Sequence, residues 1–231
     1  MQISTDFDFR SDSGGRDPDA ASPTLRSYHK ALWSKSLPSG VTFELVRAPG
    51  TYLRHSSQVG DFKLASDTIS NSQRANKRIA HMISQIPSAE LDEFQALGST
   101  IGARILFPGN RVENLATINV ARGFNRLIAD RFDLTLECIR LHYMGLPSPL
   151  GSNLDRYSEF FGLFETFEGF VDFFLLTDLV RNGRVNFFLP FTGEFLSPLP
   201  QSVNEYIRYM TASMNFVAAR NRRIAEWTKR L

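Results

Sequence analysis

The chain has 231 residues, 42% of them hydrophobic and 22% charged, with 26 basic and 24 acidic side chains. This is ordinary globular usage, enough to build a core, and it excludes disordered, coiled-coil and collagen-like classes. A net charge of +2 is too balanced to imply a polyanionic partner, and the single cysteine, Cys138, permits no intrachain disulfide.

Residues 1–23 form the densest Ser/Asp/Gly cluster and are expected to be an irregular N-terminal arm, pinned by Phe7 and Phe9. The arm is acidic, with no basic segment leading into an apolar one, so it does not read as a signal peptide; the default location is the cytoplasm. Residues 24–231 are expected to form a single domain. Tyr28–Ser34 predicts one or two helical turns anchored by Leu32 and Trp33, and Pro38-Ser39-Gly40 predicts a turn. Val41–Val46 alternates apolar and polar residues and reads as a strand. After a turn at Pro49-Gly50, Thr51–His55 and Asp61–Leu64 are short strand candidates. Ser70–Ile86 predicts a helix from the stripe Ile79, Met82, Ile83 and Ile86, and Ser88 is placed to cap another through Leu97. Ile101–Phe107 and Ala116–Val120 read as strands joined by a wide loop, Pro108–Leu115.

Leu127–Tyr143 is the clearest amphipathic pattern, with Ile128, Phe132, Ile139 and Tyr143 on one stripe and Asp130, Asp133, Glu137 and Arg140 on another. A Phe-rich helix follows, from Ser152 or Asp155 toward Val180, with a break suggested at Gly169. Eleven of the 20 phenylalanines lie between Phe160 and Phe195. This is the most apolar stretch, but Glu165, Glu168, Asp172 and Asp178 make a membrane span too costly, so a buried helix is expected. Asn182-Gly183 signals a tight turn, Val185–Leu189 a strand, and Val203–Lys229 a long C-terminal helix with a basic end. The order predicts an α+β fold: a small, mainly antiparallel sheet backed by several helices, including the Phe-rich one and the C-terminal one.

Chemistry concentrates between Arg104 and Arg140. Asn110, Arg111, Asn119 and Arg122 are the candidate ligand-binding residues. Arginine suits bidentate recognition of carboxylate or phosphate, and asparagine donates and accepts together, as a base or ribose requires. If Asn119 and Arg122 share a strand, they face opposite ways unless Gly123 turns the chain. The simpler alternative is that Arg122 pairs with Asp130 or Glu137. Asp130, Asp133 and Glu137 lie on one expected helix face, suited to acid–base work or to holding Mg²⁺; the bland alternative is a solvated face carrying helix-surface ion pairs. Asp172 is the fourth candidate acid–base residue. It and Asp178 sit in an apolar run, so each must be paired, raised in pKa or aimed into a pocket. Arg104, Arg122 and Arg156 are the available partners.

His142 follows the charged stripe and is suited either to capping the helix end or to base work. Cys138 is expected to be a buried, inert thiol. Neither a phosphate-binding glycine loop nor a nucleophile turn is present. The four histidines show no zinc spacing, so no metal ligand set and no cofactor is assigned. The basic residues Arg74–Arg78 and Arg220–Arg230 are interleaved with other types, which argues against a nucleic-acid surface.

The segments LWSKSLPSG, TINVARGF, DRFDLTLECIR and VDFFLLTDLV resemble a group of small bacterial proteins known only as a domain of unknown function, over Phe7 to Arg223. The resemblance implies a bacterial, cytosolic, stand-alone domain and assigns no role to any residue. Two functions follow as expectations. One is a pocket for a small anionic or nucleotide-like ligand, with no membrane partner. The other is a non-catalytic interaction or regulatory module, with association to nucleic acid as one form of it.

Overall fold

The computed structural model describes residues 2–49, 53–71, 77–196 and 198–229. The Gly50 turn position, the start of the Thr51–His55 strand, residues 72–76 of the Ser70–Ile86 helix, Arg74 and Arg230 lie outside the described residues.

The N-terminal arm carries more structure than its composition suggests. A 3-10 turn, Phe9–Asp12, is capped by Asp8 and tied down where the Phe9 N–H donates to the Ser99 carbonyl at 3.1 Å. Helix α1 (Pro18–Ala21) starts on Asp17, which caps it, and Pro18, whose missing N–H costs nothing in a first turn. The same device, Ser22 then Pro23, starts α2 (Pro23–Trp33) five residues before the expected helix. The buried face of α2 is Leu25, Tyr28, His29, Leu32 and Trp33, a stripe of three- and four-residue steps.

The fold is α+β. A four-stranded antiparallel meander runs in chain order: β1 (Val46–Arg47), β2 (Leu53–Ser56), β3 (Asp61–Thr68) and β4 (Arg104–Pro108). The register pairs Leu53 with Leu64, His55 with Phe62 and Thr68 with Arg104. Strand β4 is buried along its whole length. Only the end of the expected Val41–Val46 strand joins the sheet. Phe43 and Leu45 are buried as the alternation requires, but this segment meets the residues just after α2 instead: Ser36 and Thr42 form a bridge, the Phe43 N–H donates to the Lys35 carbonyl, and the Leu45 N–H donates to Ser34 Oγ.

Helices follow: α3 (Ala80–Ile83) and α4 (Ser88–Leu97) before β4, then α5 (Ile118–Phe124), which packs on β4, and α6 (Phe132–Tyr143). Ser88 begins α4 but does not cap it; Pro87 holds the cap position without a side-chain bond. The expected strand Ala116–Val120 is instead the start of α5. Thr117 caps it by accepting the Val120 N–H, and this local bond overrides the β-branched run TINV. The expected Leu127–Tyr143 helix loses its first turn, because Ala129 and Asp130 have φ of 47° and 57°.

The Phe-rich segment is three short helices, α7 (Gly151–Asp155), α8 (Ser158–Gly162) and α9 (Phe167–Phe173). The break before α9 falls at Glu165, with φ of 63°, and not at Gly169. Breaking the helix lets the rings of Phe160, Phe164, Phe170, Phe173 and Phe174 turn inward together, with Phe164 5.0–5.4 Å from each of the others. Asn182 and Gly183, both at positive φ, make the tight turn between β5 (Val180–Arg181) and β6 (Arg184–Val185). The strand expected to run to Leu189 is only the two residues of β6.

Helix α10 (Val203–Thr228) closes the molecule, capped by Ser202. Its buried Arg220 donates to the carbonyls of Phe174, Gly102 and Arg104, which ties α9 and β4 to α10. The basic end is therefore not one cationic face: Arg220 is internal and Arg223 pairs with Asp178 at 2.8 Å. Among the described residues no helix is long and apolar enough to cross a membrane.

Candidate functional site: a carboxylate cleft on strand β3

Three consecutive residues at the end of β3 organise the polar centre of the molecule. Helix α5 turns Asn119 and Arg122, three residues apart, onto one face. That face meets β3: Asn119 Nδ2 donates to the Ser66 carbonyl at 3.2 Å, and Arg122 bonds the Asp67 carboxylate and the Thr68 carbonyl. Arg122 Nε also donates to Thr135 Oγ1 of α6 at 2.9 Å, and its Nη2 lies 3.5 Å from Asp130 Oδ1. The left-handed backbone at Asp130 aims that carboxylate back at Arg122 and at Asn71, whose amide donates to it. The guanidinium is thereby enclosed, with a side-chain exposure of 0%.

A second pair lies beside the first. Asp19 of α1 binds Arg104 of β4, directly opposite Thr68 in the sheet register. Asp19 also accepts the Ser66 hydroxyl at 2.6 Å. Behind it, Trp33 Nε1–H donates to His29 Nδ1 at 2.9 Å, and His29 Nε2 lies 2.9 Å from Ser66 Oγ. Because indole only donates, Nδ1 accepts and the ring proton sits on Nε2. Burial, with Arg220 and Arg104 nearby, drops the imidazole to about 3, so it stays neutral. The chain of donors therefore runs Trp33, His29, Ser66, Asp19. Ser66 has a histidine neighbour but not a base, and this arrangement is not that of a hydrolase nucleophile.

The charge count decides how this cluster titrates. Three carboxylates, Asp19, Asp67 and Asp130, face two guanidiniums, Arg104 and Arg122. One negative charge is in surplus in a poorly hydrated place, so one carboxyl is driven to keep its proton. Burial pushes Asp67 up to about 7, reinforced by Asp130 and Asp19 and opposed by Arg122. Burial likewise raises Asp19 against the pull of Arg104. The Asp67 side chain is 19% exposed. It opens into a cleft of about 280 Å³ lined by Asp17, Asp19, Asp67, Ser70, Asn71 and Arg104, with Arg10 and the α4 residue Gln95 at its walls.

The expected site residues divide between this cleft and other places. Asn119, Arg122 and Asp130 converge on β3; Asn119 lies in a helix rather than a strand, and Asp130 precedes α6 instead of joining its charged stripe. Asn110 sits in the loop after β4, where its carbonyl accepts the Tyr157 hydroxyl at 2.9 Å, and neighbouring Arg111 is exposed. Asp133 is fully buried, held by Arg131 and by the Phe188 N–H at 2.9 Å. Glu137 is clasped by Arg140 through two bonds of 2.7 and 2.8 Å. Asp172 is exposed on α9, makes no ion pair with Arg104, Arg122 or Arg156, and borders two hollows. Cys138 is buried, its thiol pushed up to about 12 by burial, and His142 rests 3.1 Å from Asp155. Among the described residues no group of three His, Cys, Asp or Glu side chains is placed to hold a metal ion.

Asp19, Ser66 and Asp67 are site residues that periodicity and spacing pass over. The Asp17-Pro18 start of a helix is the signal that would have placed Asp19 on structure instead of in an irregular arm.

No curated protein and no solved structure matches the chain. A family model described as a family of unknown function, DUF6994, matches residues 3–224. Spanning nearly the whole length, that match makes the chain a member of the DUF6994 family.

Proposed function

We propose that the cleft on β3 binds a small ligand rich in hydrogen-bond donors, an amine or a polyol, and that Asp67 exchanges a proton with it. The observation that carries this reading is the surplus carboxylate: acceptor oxygens of Asp17, Asp19 and Asp67 line the cleft while Arg122 is enclosed beneath it. A perturbed carboxyl in a concave polar site is where proton transfer is expected. The sequence suggests an anionic or nucleotide-like ligand from Arg111 and Arg122, but Arg111 is exposed and does not line this cleft, and the arginines at or beneath it already carry carboxylate partners: Arg104 holds Asp19, Arg122 holds Asp67, and Arg10 at the wall holds Asp8. An added anion would meet an excess of negative charge.

The test is thermal unfolding at pH 7 with spermidine, inositol, AMP and inorganic phosphate as probes. A bound probe raises the melting temperature by mass action. Spermidine or inositol should raise it for the parent chain and not for Asp67→Asn, with AMP and phosphate inactive. Stabilisation by the phosphorylated probes alone, or an unchanged response in Asp67→Asn, overturns the reading. No response to any probe favours an interaction module instead.

A further inference from the structure

A second reactive centre lies away from the cleft, where α2, α9 and α10 meet. Lys35 follows α2, and its Nζ stands over three rings: 5.0 Å from the centre of Trp33, 4.7 Å from Phe173 and 5.0 Å from Trp227. The rings attract the ammonium but displace its water, and an ammonium without hydration gives up its proton more readily. Among the described residues Lys35 has no ion pair. The charged groups around it are Asp172 on α9, which favours the ammonium, and Arg220 on α10, which disfavours it; Arg223 and Glu226 lie beyond Trp227 in the adjoining hollow. Burial first and Arg220 second bring the amine down to about 8. The other four lysines, Lys30, Lys63, Lys77 and Lys229, are exposed.

The amine has an approach route. Lys35 and Asp172 line one open groove of about 400 Å³, with Leu37, Pro38, Gly169 and Phe173 as its apolar walls. Asp172 is exposed and lines the groove; among the described residues its carboxylate makes no hydrogen bond or close ion pair, and its charge is felt by Lys35 and by Arg223 in the adjoining hollow. A desolvated lysine beside an apolar hollow and an exposed carboxylate is the arrangement that carbonyl chemistry needs.

We propose that Lys35 is a nucleophilic amine that captures a small aldehyde or ketone as an imine, with Asp172 shuttling the protons. The neutral Nζ attacks the carbonyl carbon; a C–N bond forms and the C=O π pair moves to oxygen. Asp172 takes a proton from nitrogen and delivers it to that oxygen, giving a carbinolamine. It then carries the second proton across as the C–O bond breaks, leaving C=N and one water. Both hydrogens of the water come from the amine, and no oxidant or reductant takes part. The walls suit an apolar or aromatic carbonyl compound of small size.

The experiment treats the full chain with benzaldehyde and sodium cyanoborohydride at pH 7.5, so that each imine is reduced to a stable amine and mapped by peptide mass spectrometry. In parallel, trinitrobenzenesulfonate reports how much neutral amine is present, because its reaction needs no proton relay. Lowering an amine from the usual lysine range to near 8 raises its neutral fraction roughly two-hundredfold at this pH, so even with a weaker nucleophile Lys35 should be marked at least about tenfold faster than each exposed lysine. Asp172→Asn removes a charge that favours the ammonium, so arylation of Lys35 should hold or rise while imine capture falls several-fold. Lys35→Arg keeps the cation among the rings and should show no mark at position 35 with an unchanged melting temperature. Marking of Lys35 no faster than of Lys30 and Lys63 overturns the proposal. So does an Asp172→Asn chain in which imine capture is unchanged or shifts in the same proportion as arylation.

Discussion

Replacing Arg122 by Met separates a structural guanidinium from a ligand-binding one. The methionine keeps an apolar stem near the rings of Phe107 and Phe132, over which the guanidinium carbon now sits at 5.8 and 5.5 Å. What is lost is the set of donors to Asp67, Thr135 and the Thr68 carbonyl, together with the charge facing Asp130. Breaking a buried ion pair from one side costs about 3–5 kcal/mol, because the abandoned carboxylate remains desolvated. For a chain of this length that corresponds to a fall in Tm of roughly 6–10 °C, at about 2 cal/mol/K of unfolding entropy per residue. The assay is urea unfolding at pH 7, followed by circular dichroism, with Tm by calorimetry. The cluster logic makes a further demand: Asp67→Asn should rescue part of the loss, giving a coupling of at least about 1.5 kcal/mol in the double-mutant cycle. A change below about 0.5 kcal/mol for Arg122→Met, the size of an ordinary surface substitution, would refute the reasoning and return Arg122 to the role of a free anion receptor.

Two further outcomes follow from the same geometry. Asp67 is raised in the folded chain to about 7, while an unfolded aspartate titrates near ~3.9. The native state therefore binds more protons at Asp67 between those values, so the contribution of this group to stability is complete below the lower one and is lost as pH rises through about 7. Urea midpoints at pH 5 and pH 8 should show the parent chain losing stability on going up, and Asp67→Asn losing less; parallel behaviour of the two would contradict this. Asp133, buried with Arg131 and the Phe188 N–H, acts as structure: Asp133→Ala should cost about 3–5 kcal/mol by leaving Arg131 unpaired, read from the same unfolding curves, and a stable Asp133→Ala chain would reopen a chemical role for that carboxylate.

Periodicity made the helices that answer to one face easy to see. The stripe of α10 appears where hydrophobic spacing places it, and Asn182-Gly183 turns the chain as its left-handed preference requires. Short elements decided by a single cap were hidden. TINVARGF is rich in β-branched residues and reads as a strand, yet one Thr117 side-chain bond sets it on a helical course and moves Asn119 onto the same side as Arg122. The surroundings of the charged stripe of α6 were hidden for a different reason: that helix is buried around much of its circumference, so Asp133 is an internal partner of Arg131, while the expected Glu137–Arg140 ion pair forms one turn on. The cleft itself was largely illegible because its pairs are distant in the chain. Asp19 and Arg104 are 85 residues apart and Asp67 and Arg122 are 55 apart, and no local spacing rule connects them.

The proton held by the cluster is open to direct observation. Carbon-13 labelling of the aspartate side-chain carboxyls, followed by NMR from pH 3 to pH 9, reads each titration separately. The account predicts one aspartate with a midpoint near 7, absent from the spectrum of Asp67→Asn. If every aspartate carboxyl is ionised by pH 5, the surplus charge is dispersed in some other way, and Asp67 has no proton to exchange at neutral pH.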